Sequence, residues 1–470
     1  MQRVALARAS RSEVFDGEAL QLSAMLADDM GNDVGTSGTL LQLSVCRLGR
    51  SMPRPVGDIP RQDLYHVALT EVGGLEPLPL EEGHWYVEAP PEAEGMASEQ
   101  PTMSGRFPLL PKAFSSEHHG KASLRFHAEL HHMGTQVLVT VSAASNSDGK
   151  YASPVLPLTL GPIWLSPADS DRRARLREGA AWSRRLLHRH LPHLGVTLVE
   201  DQGKDATIAG SLWDAGVVLG AYLVHCCVND PSLLCPRTGG DTTLQDGPHQ
   251  KLMAMELGCG TGSAGLMLAR AIQHYRNSSG PPCLVRVCLT DRDDSALDLA
   301  RLNIAANRVE SVAECKRLSW GDMPLPDDCI LRDSSGGAVE MGLVFAADVV
   351  YDETRFYPLV QTMYHATGAA AYVDGSAKGS PADAVLAYRL RMDDNKATHF
   401  WHLVEERFDV QPAVPPATLD DALRAYGIAC DFAAHSTAIF HLRPVLGSPR
   451  PTSCLYCSRM LAKRSPDPLV

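Results

Sequence analysis

No stretch of this sequence approaches the ~18 consecutive apolar residues of a membrane-spanning helix, and the N-terminus lacks the apolar run of a secretory signal. Both absences predict a chain free of the membrane, placed in the cytoplasm, the nucleus or both. Arg3, Arg8 and Arg11 precede the first acid, Glu13, and are read as an ordinary terminus. Positive charge is not in surplus: 43 Lys and Arg face 55 Asp and Glu, a formal net charge of −12. A general nucleic-acid binder needs the opposite balance to displace counterions from phosphates, so that class is set aside. A disulfide framework is also missing. Twelve cysteines are scattered over 470 residues, mostly beside apolar neighbours, and read as reduced core thiols. Cys454 and Cys457 form a CxxC, but no second ligand pair stands at zinc spacing, so no metal is expected. There is no internal repeat.

What is present is enough for two cores. The length exceeds the ~250–300 residues over which one core usually grows. Residues 1–165 carry short apolar or alternating stretches, among them Ala19–Leu26, Leu40–Val45 and Val137–Val141, separated by Gly, Pro, Asn and Asp. That is strand-and-turn patterning, and a β-rich, sandwich-like domain of about seven strands is expected, with Pro90–Pro111 as a long loop. From Asp171 to His193 the pattern turns helical, with Leu176, Ala180, Leu187, Leu191 and Leu194 at near-helical spacing. Arg172, Arg173, Arg175, Arg177, Arg184, Arg185 and Arg189 lie between them. Residues 166–204 are therefore predicted to be a basic helical linker with a solvated face, open to an acidic partner or RNA at 172–189.

From about residue 205 to 446, strand-like runs at Leu252–Leu257, Leu284–Thr290, Gly342–Ala347 and Ala384–Arg391 alternate with helical segments. This indicates an α/β domain with a mainly parallel sheet, whose ligands sit outside the carboxyl ends of the strands. Residues 447–470 are expected to be a flexible tail. The first of those runs leads into Gly258-Cys259-Gly260-Thr261-Gly262, followed by a helix beginning near Ser263. Glycines suit a turn that brings bare backbone against a ligand. Gly260, Gly262 and Gly265 also fit a dinucleotide fingerprint, so a nicotinamide or flavin enzyme is one reading. A dinucleotide site, however, normally delivers an apolar residue to the loop, because pyrophosphate rests on the helix N-terminus. Here Glu256 stands two residues before Gly258, and a carboxylate there suits a cationic, phosphate-free nucleoside. Asp291 ends the second strand, where a carboxylate can accept from both ribose hydroxyls, with Asp293 and Asp294 expected to cap the next helix. Its spacing from Gly258 is long, which predicts a loop insertion at Arg276–Cys283. Asp348, at a buried strand end, calls for a ligand, and Tyr351 follows it.

In order along Ala209–Pro444, the chain holds Gly210-Ser-Leu-Trp213-Asp214-Ala, Glu256-Leu-Gly-Cys-Gly-Thr-Gly262, Thr290-Asp291, Asn303-Ile-Ala-Ala-Asn307, Leu318-Ser-Trp320-Gly321, Ala347-Asp348-Val-Val-Tyr351 and Ala387-Tyr-Arg-Leu-Arg391. Together these resemble the seven-β-strand S-adenosylmethionine-dependent methyltransferases, and within them the lysine methyltransferase branch called methyltransferase family 16. The resemblance implies a Rossmann-like seven-stranded sheet with a final antiparallel strand near Thr437–Leu442, S-adenosylmethionine as cofactor and a protein lysine as acceptor. It further implies that Trp213 packs on the cofactor, that Glu256 and Gly258 meet its methionine part, that Gly260 and Gly262 also bind it, and that Asp291 holds the ribose. Trp320 would border the adenine, Ala347 would also contact the cofactor, and Asp348 and Tyr351 would line the acceptor channel. Ser319 stands where the branch commonly has Asp. The stretch Thr367–Ala382 reads as a loop insertion. A protein histidine, a terminal amine, RNA or a small molecule are the other acceptors, and a scaffold acting through its N-terminal β domain is the non-enzymatic alternative.

Overall fold

The computed structural model describes strands at 2–6, 13–15, 19–27, 40–48, 75–77, 85–88, 106–108, 120–126, 136–143, 155–156 and 158–166. It then describes 186–191, 196–201, 207–229, 252–278, 284–326, 329, 340–373, 381–389, 394–413 and 437–446. Nine strands of this second part are labelled β1 (Leu186–Leu191), β2 (Val196–Asp201), β3 (Leu252–Leu257), β4 (Leu284–Asp291), β5 (Ala313–Arg317), β6 (Glu340–Ala347), β7 (Asp383–Arg389), β8 (Phe408–Pro412) and β9 (Thr437–Pro444). Its helices are α1 (Asp214–Asn229), α2 (Ser263–Ser278), α3 (Asp294–Ala306), α4 (Phe356–Ala366), α5 (Ala369–Val373) and α6 (Asp394–Glu405).

The Rossmann-like sheet is present, with strand order β5-β4-β3-β6-β7-β9-β8. β5, β4, β3, β6 and β7 are parallel to one another, while β9 runs antiparallel to both β7 and β8. β3 explains why the sheet must sit between two helical layers: all six of its residues are buried. Alternate side chains go to opposite faces of a strand. Leu252 and Ala254 join a core with residues of α1, α2 and α3, and Met253, Met255 and Leu257 join a second core with α4 and α6. A strand buried on both faces reads as a continuous apolar run, which is why its sequence was legible. The same alternation sends Glu256 to the α1–α3 side, toward the start of α2.

The expected helix over 171–193 is corrected where it can be seen. Leu186–Leu191 is a strand, paired antiparallel with β2 from Leu186 opposite Asp201 to Leu191 opposite Val196. Leu187 and Leu191, four apart, satisfy a period of two as well as one of 3.6, and the arginines between them suggested a wet face. Arg189 is instead wholly buried, ion-paired with the buried Glu200 eleven residues on. It is therefore not part of any basic surface, and Arg172 to Arg185 lie outside the described residues.

β1 and β2 extend a sheet that continues through 158–166, 136–143, 40–48 and 75–77, with 13–15 and 106–108 pairing at its side. A second sheet joins 155–156, 2–6, 19–27, 120–126 and 85–88. The expected strands at Ala19–Leu26, Leu40–Val45 and Val137–Val141 fall within 19–27, 40–48 and 136–143. Arg106–Pro108 pairs with 40–42, so the loop expected over Pro90–Pro111 is interrupted. Two other insertions are narrower than expected: α2 runs to Ser278, and Ala369–Val373 is helical. The tail from 447, with Cys454 and Cys457, lies outside the described residues.

Candidate active site

The carboxyl ends of β3, β4 and β6 open onto one cavity of about 660 Å3. Its floor is the turn after β3, where Gly258, Gly260 and Gly262 all hold left-handed backbone, with φ of 68°, 52° and 79°. The need for glycine is steric as well as conformational. A Cβ on Gly258 would stand 2.9 Å from the Trp320 ring, and one on Gly262 would stand 2.6 Å from Leu289. The turn is pinned to β4, since the Cys259 amide donates to the Thr290 carbonyl at 2.9 Å and the Thr290 hydroxyl donates to the Glu256 carbonyl at 2.6 Å.

Two carboxylates flank that turn. Glu256 is buried, and its Oε2 accepts from the Gly265 amide at 3.1 Å, in the first turn of α2. The first amides of a helix lack partners inside it and attract anions. Here the protein's own carboxyl oxygen takes that place, which leaves the α2 terminus unsuited to a pyrophosphate and removes the main support for the dinucleotide reading. Burial pushes the Glu256 carboxyl up to about 8, the Gly265 hydrogen bond opposes this, and the neighbouring Asp291 charge adds to it. Asp291 accepts from the Gly260 amide through Oδ2 and from the Asp293 amide through Oδ1, each at 3.1 Å. Burial also raises its carboxyl above the ordinary range. Two acids held in reserve of charge beside one cavity make a site that gains by taking in a cation.

Trp213, Glu256, Gly258, Gly260, Asp291, Trp320, Ala347, Asp348 and Tyr351 all line the cavity. Gly262 does not, because its missing Cβ faces Leu289 and Leu266 in the core. Trp320 serves twice, walling the cavity while packing on the apolar core around α4. Asp348 follows β6 with φ of 56°, a left-handed conformation that Asp tolerates better than most side chains, and its amide donates to the Ala387 carbonyl at 3.1 Å. Tyr351 is half-exposed at the mouth, with its hydroxyl raised by burial against the lowering influence of Arg292. Asp293 caps α3 through the Ser295 amide at 2.9 Å, as its position in the sequence suggested.

Several lining residues carried no legible signal. Thr207, Ile208 and Ala209 form a wall through the turn before α1, and the Trp213 indole donates to the Ile208 carbonyl at 3.0 Å. Arg292 and Arg355 also reach the cavity, one following Asp291 and one ahead of α4. Neither makes an ion pair with another described residue, and nothing in their spacing distinguishes them from surface arginines. The Asn303 and Asn307 pair, by contrast, has a structural use. Asn303 accepts from the Val199 amide and donates to the Val199 and Thr261 carbonyls, and Asn307 makes the matching pair of bonds with Thr197. Four residues apart, one on α3 and one capping its C-terminus, the two amides stand in for a neighbouring strand along β2.

Residues 191–403 match a family model described as lysine methyltransferase. The chain is 27% identical over 210 residues to the protein-lysine N-methyltransferase EFM6 of Saccharomyces cerevisiae (strain ATCC 204508 / S288c), covering 45% of this chain and 74% of that one. It is 27% identical over 206 residues to the protein N-lysine methyltransferase METTL21A of Mus musculus, covering 43% of this chain and 70% of that one.

Proposed function

We propose, from the premise that this chain belongs to the lysine methyltransferase family through residues 191–403, that it transfers the methyl group of S-adenosylmethionine to a lysine side chain of another protein. The observation that carries the reading is the pairing of Glu256, already seated on the α2 terminus, with Asp291 beside one cavity. That pairing fits a phosphate-free cation bearing a ribose. Glu256 and the bare backbone at Gly258 and Gly260 take the amino-acid part, Asp291 takes the ribose hydroxyls, and Trp213 and Trp320 take the apolar faces. When bound, the cofactor supplies an activated methyl group for in-line displacement, so the protein's work is alignment and exclusion of water.

An unperturbed lysine titrates near ~10.4, and making it neutral at pH 7 costs about 4–5 kcal/mol. Arg292 and Arg355 at the cavity, together with the cofactor's own positive charge, disfavour an ammonium there and lower that cost. Asp348 opposes this electrostatically, so its role is to orient the amine and receive its hydrogen bond, with Tyr351 forming the side of the channel. The N-terminal β-rich domain, residues 1–165, recruits or orients the protein substrate, since methyl transfer itself needs no such addition. The substrate is a protein of the cytoplasm or nucleus, and the acidic balance of the chain favours a protein over a nucleic acid.

The test is to incubate the protein and labelled methyl donor with cell extract and map the modified residue by mass spectrometry. A methylated lysine in one or a few proteins is expected. Label on histidine, a terminal amine, RNA or a small molecule would replace the acceptor, and absence of S-adenosylhomocysteine binding would favour a scaffold.

A further inference from the structure

One wall of the cavity is the turn Thr207–Gly216, which carries Ile208, Ala209 and Trp213 to the ligand side. It is squeezed between two bodies. In front, a Cβ on Gly260 would lie 3.1 Å from the Ala209 carbonyl oxygen, so the turn already touches the glycine loop. Behind, a Cβ on Gly210 would lie 2.9 Å from the Asp201 carbonyl oxygen, so it also touches the end of β2. Between these contacts the Leu212 amide donates to Glu200 Oε1 at 2.7 Å, in a wholly buried setting. The other oxygen of Glu200 holds the buried guanidinium of Arg189 on β1.

We propose that Glu200 is a positioning residue for the cofactor: its carboxylate fixes the Leu212 amide and so sets Trp213 and the Thr207–Gly216 wall at the right distance from the glycine loop. Glu200 does not line the cavity, and it acts through the backbone beside Trp213. An ion pair so deeply buried is a poor source of stability, because desolvation offsets most of the attraction. Its value is geometric, since a carboxylate held by Arg189 has one orientation and turns its other oxygen to the Leu212 amide. On the far side Asp214 pairs with Arg389 of β7 at 3.0 Å, so Trp213 sits between two anchored neighbours. β1 and β2 belong to the sheet that runs on through 158–166, with Thr159 opposite His188. The residue that sets the cofactor wall is thus carried by an extension of the N-terminal strands.

The proposal rests on the reading of the cavity as a cofactor site, and its test separates the two. Two double variants are compared, R189M/E200Q, which removes both charges but keeps an oxygen for the Leu212 amide, and R189M/E200M, which removes the oxygen as well. A third, N307A, loosens the opposite edge of β2 without touching the wall. R189M/E200M is expected to weaken S-adenosylhomocysteine binding and raise the KM for the methyl donor about tenfold with kcat within twofold. It is also expected to speed amide exchange across 207–216 in the ligand-free protein at least tenfold. R189M/E200Q should restore both, and N307A should leave affinity unchanged at an equal or larger loss of Tm. Equal affinity and exchange in the two double variants, or an equal loss of affinity in N307A, would overturn the proposal. If the unaltered protein took up no S-adenosylhomocysteine, the cofactor reading would fall, and the exchange rates would still decide whether Glu200 holds the wall.

Discussion

Glu256 sets the electrostatics of the site at the scale of a single residue. In the folded protein it keeps its proton up to about pH 8, whereas the ordinary value from which it is raised is 4.5. Between those values the folded state binds a proton that the unfolded chain has lost, so for this group stability is fully present below pH 4.5 and falls as pH rises through about 8. The α-ammonium that S-adenosylhomocysteine shares with S-adenosylmethionine favours the ionised carboxylate, so binding must expel the proton. S-adenosylhomocysteine affinity is therefore expected to rise as pH increases toward 8 and then level off, with proton release visible as a buffer-dependent heat in calorimetry. Glu256→Gln should abolish that release and weaken binding at pH 8 roughly tenfold or more, the order of a hydrogen-bonded charge contact. Asp348 gives a second expectation. Asn also tolerates left-handed backbone, so Asp348→Asn should keep Tm within about a degree or two while lowering kcat/KM for the protein acceptor roughly ten- to a hundredfold. An unchanged kcat/KM would remove Asp348 from the acceptor channel.

The helix-facing edge of β2 is where packing and sequence part company at the scale of elements. Strands β3, β4, β6 and β7 were legible because burial on both faces forces continuous apolar runs, and their ends delivered Glu256, Asp291 and Asp348 to one cavity. β1 was misread because a charged residue in a strand looks solvent-facing until its partner is known. The partner, Glu200, comes from the far side of a hairpin, a relation no local period encodes. Arg292 and Arg355 were illegible for a related reason, since only the tertiary fold brings their loops to the same opening. The Asn303-to-Asn307 motif was legible as part of a resemblance, yet its purpose was not. Removing the first amide strands the buried Val199 amide and carbonyl together with the Thr261 carbonyl. Asn303→Ala should therefore cost about 2–4 kcal/mol in denaturant unfolding, with the transition remaining cooperative. A loss under about 0.5 kcal/mol would mean that water replaces the amide and that β2 is not held by α3.

Over the whole molecule, the sheet that begins in the N-terminal half ends in β1 and β2 beside the Thr207–Gly216 wall of the cavity. A boundary drawn at residue 165 thus cuts a hydrogen-bonded sheet, and one at 204 parts β2 from the Asn303 and Asn307 side chains bonded to it, though the apolar pattern changes there. A chain beginning at Ala168 keeps β1, β2 and every cavity residue but loses the strand that pairs with β1. It is expected to bind S-adenosylhomocysteine within about tenfold of the full chain while methylating the native protein acceptor at less than a tenth of the rate. Full activity from the shortened chain would assign recognition to the catalytic half alone.

Under the proposed function, the turn after β3 grips an ammonium-bearing nucleoside without phosphate, because Glu256 already fills the helix terminus a pyrophosphate would need. Titration of the intact protein with S-adenosylhomocysteine and with NAD, followed calorimetrically at pH 8, tests it most directly. One-to-one binding of S-adenosylhomocysteine, lost or strongly weakened in Glu256→Gln, with no heat from NAD, is the predicted result. Binding of NAD without S-adenosylhomocysteine would contradict it.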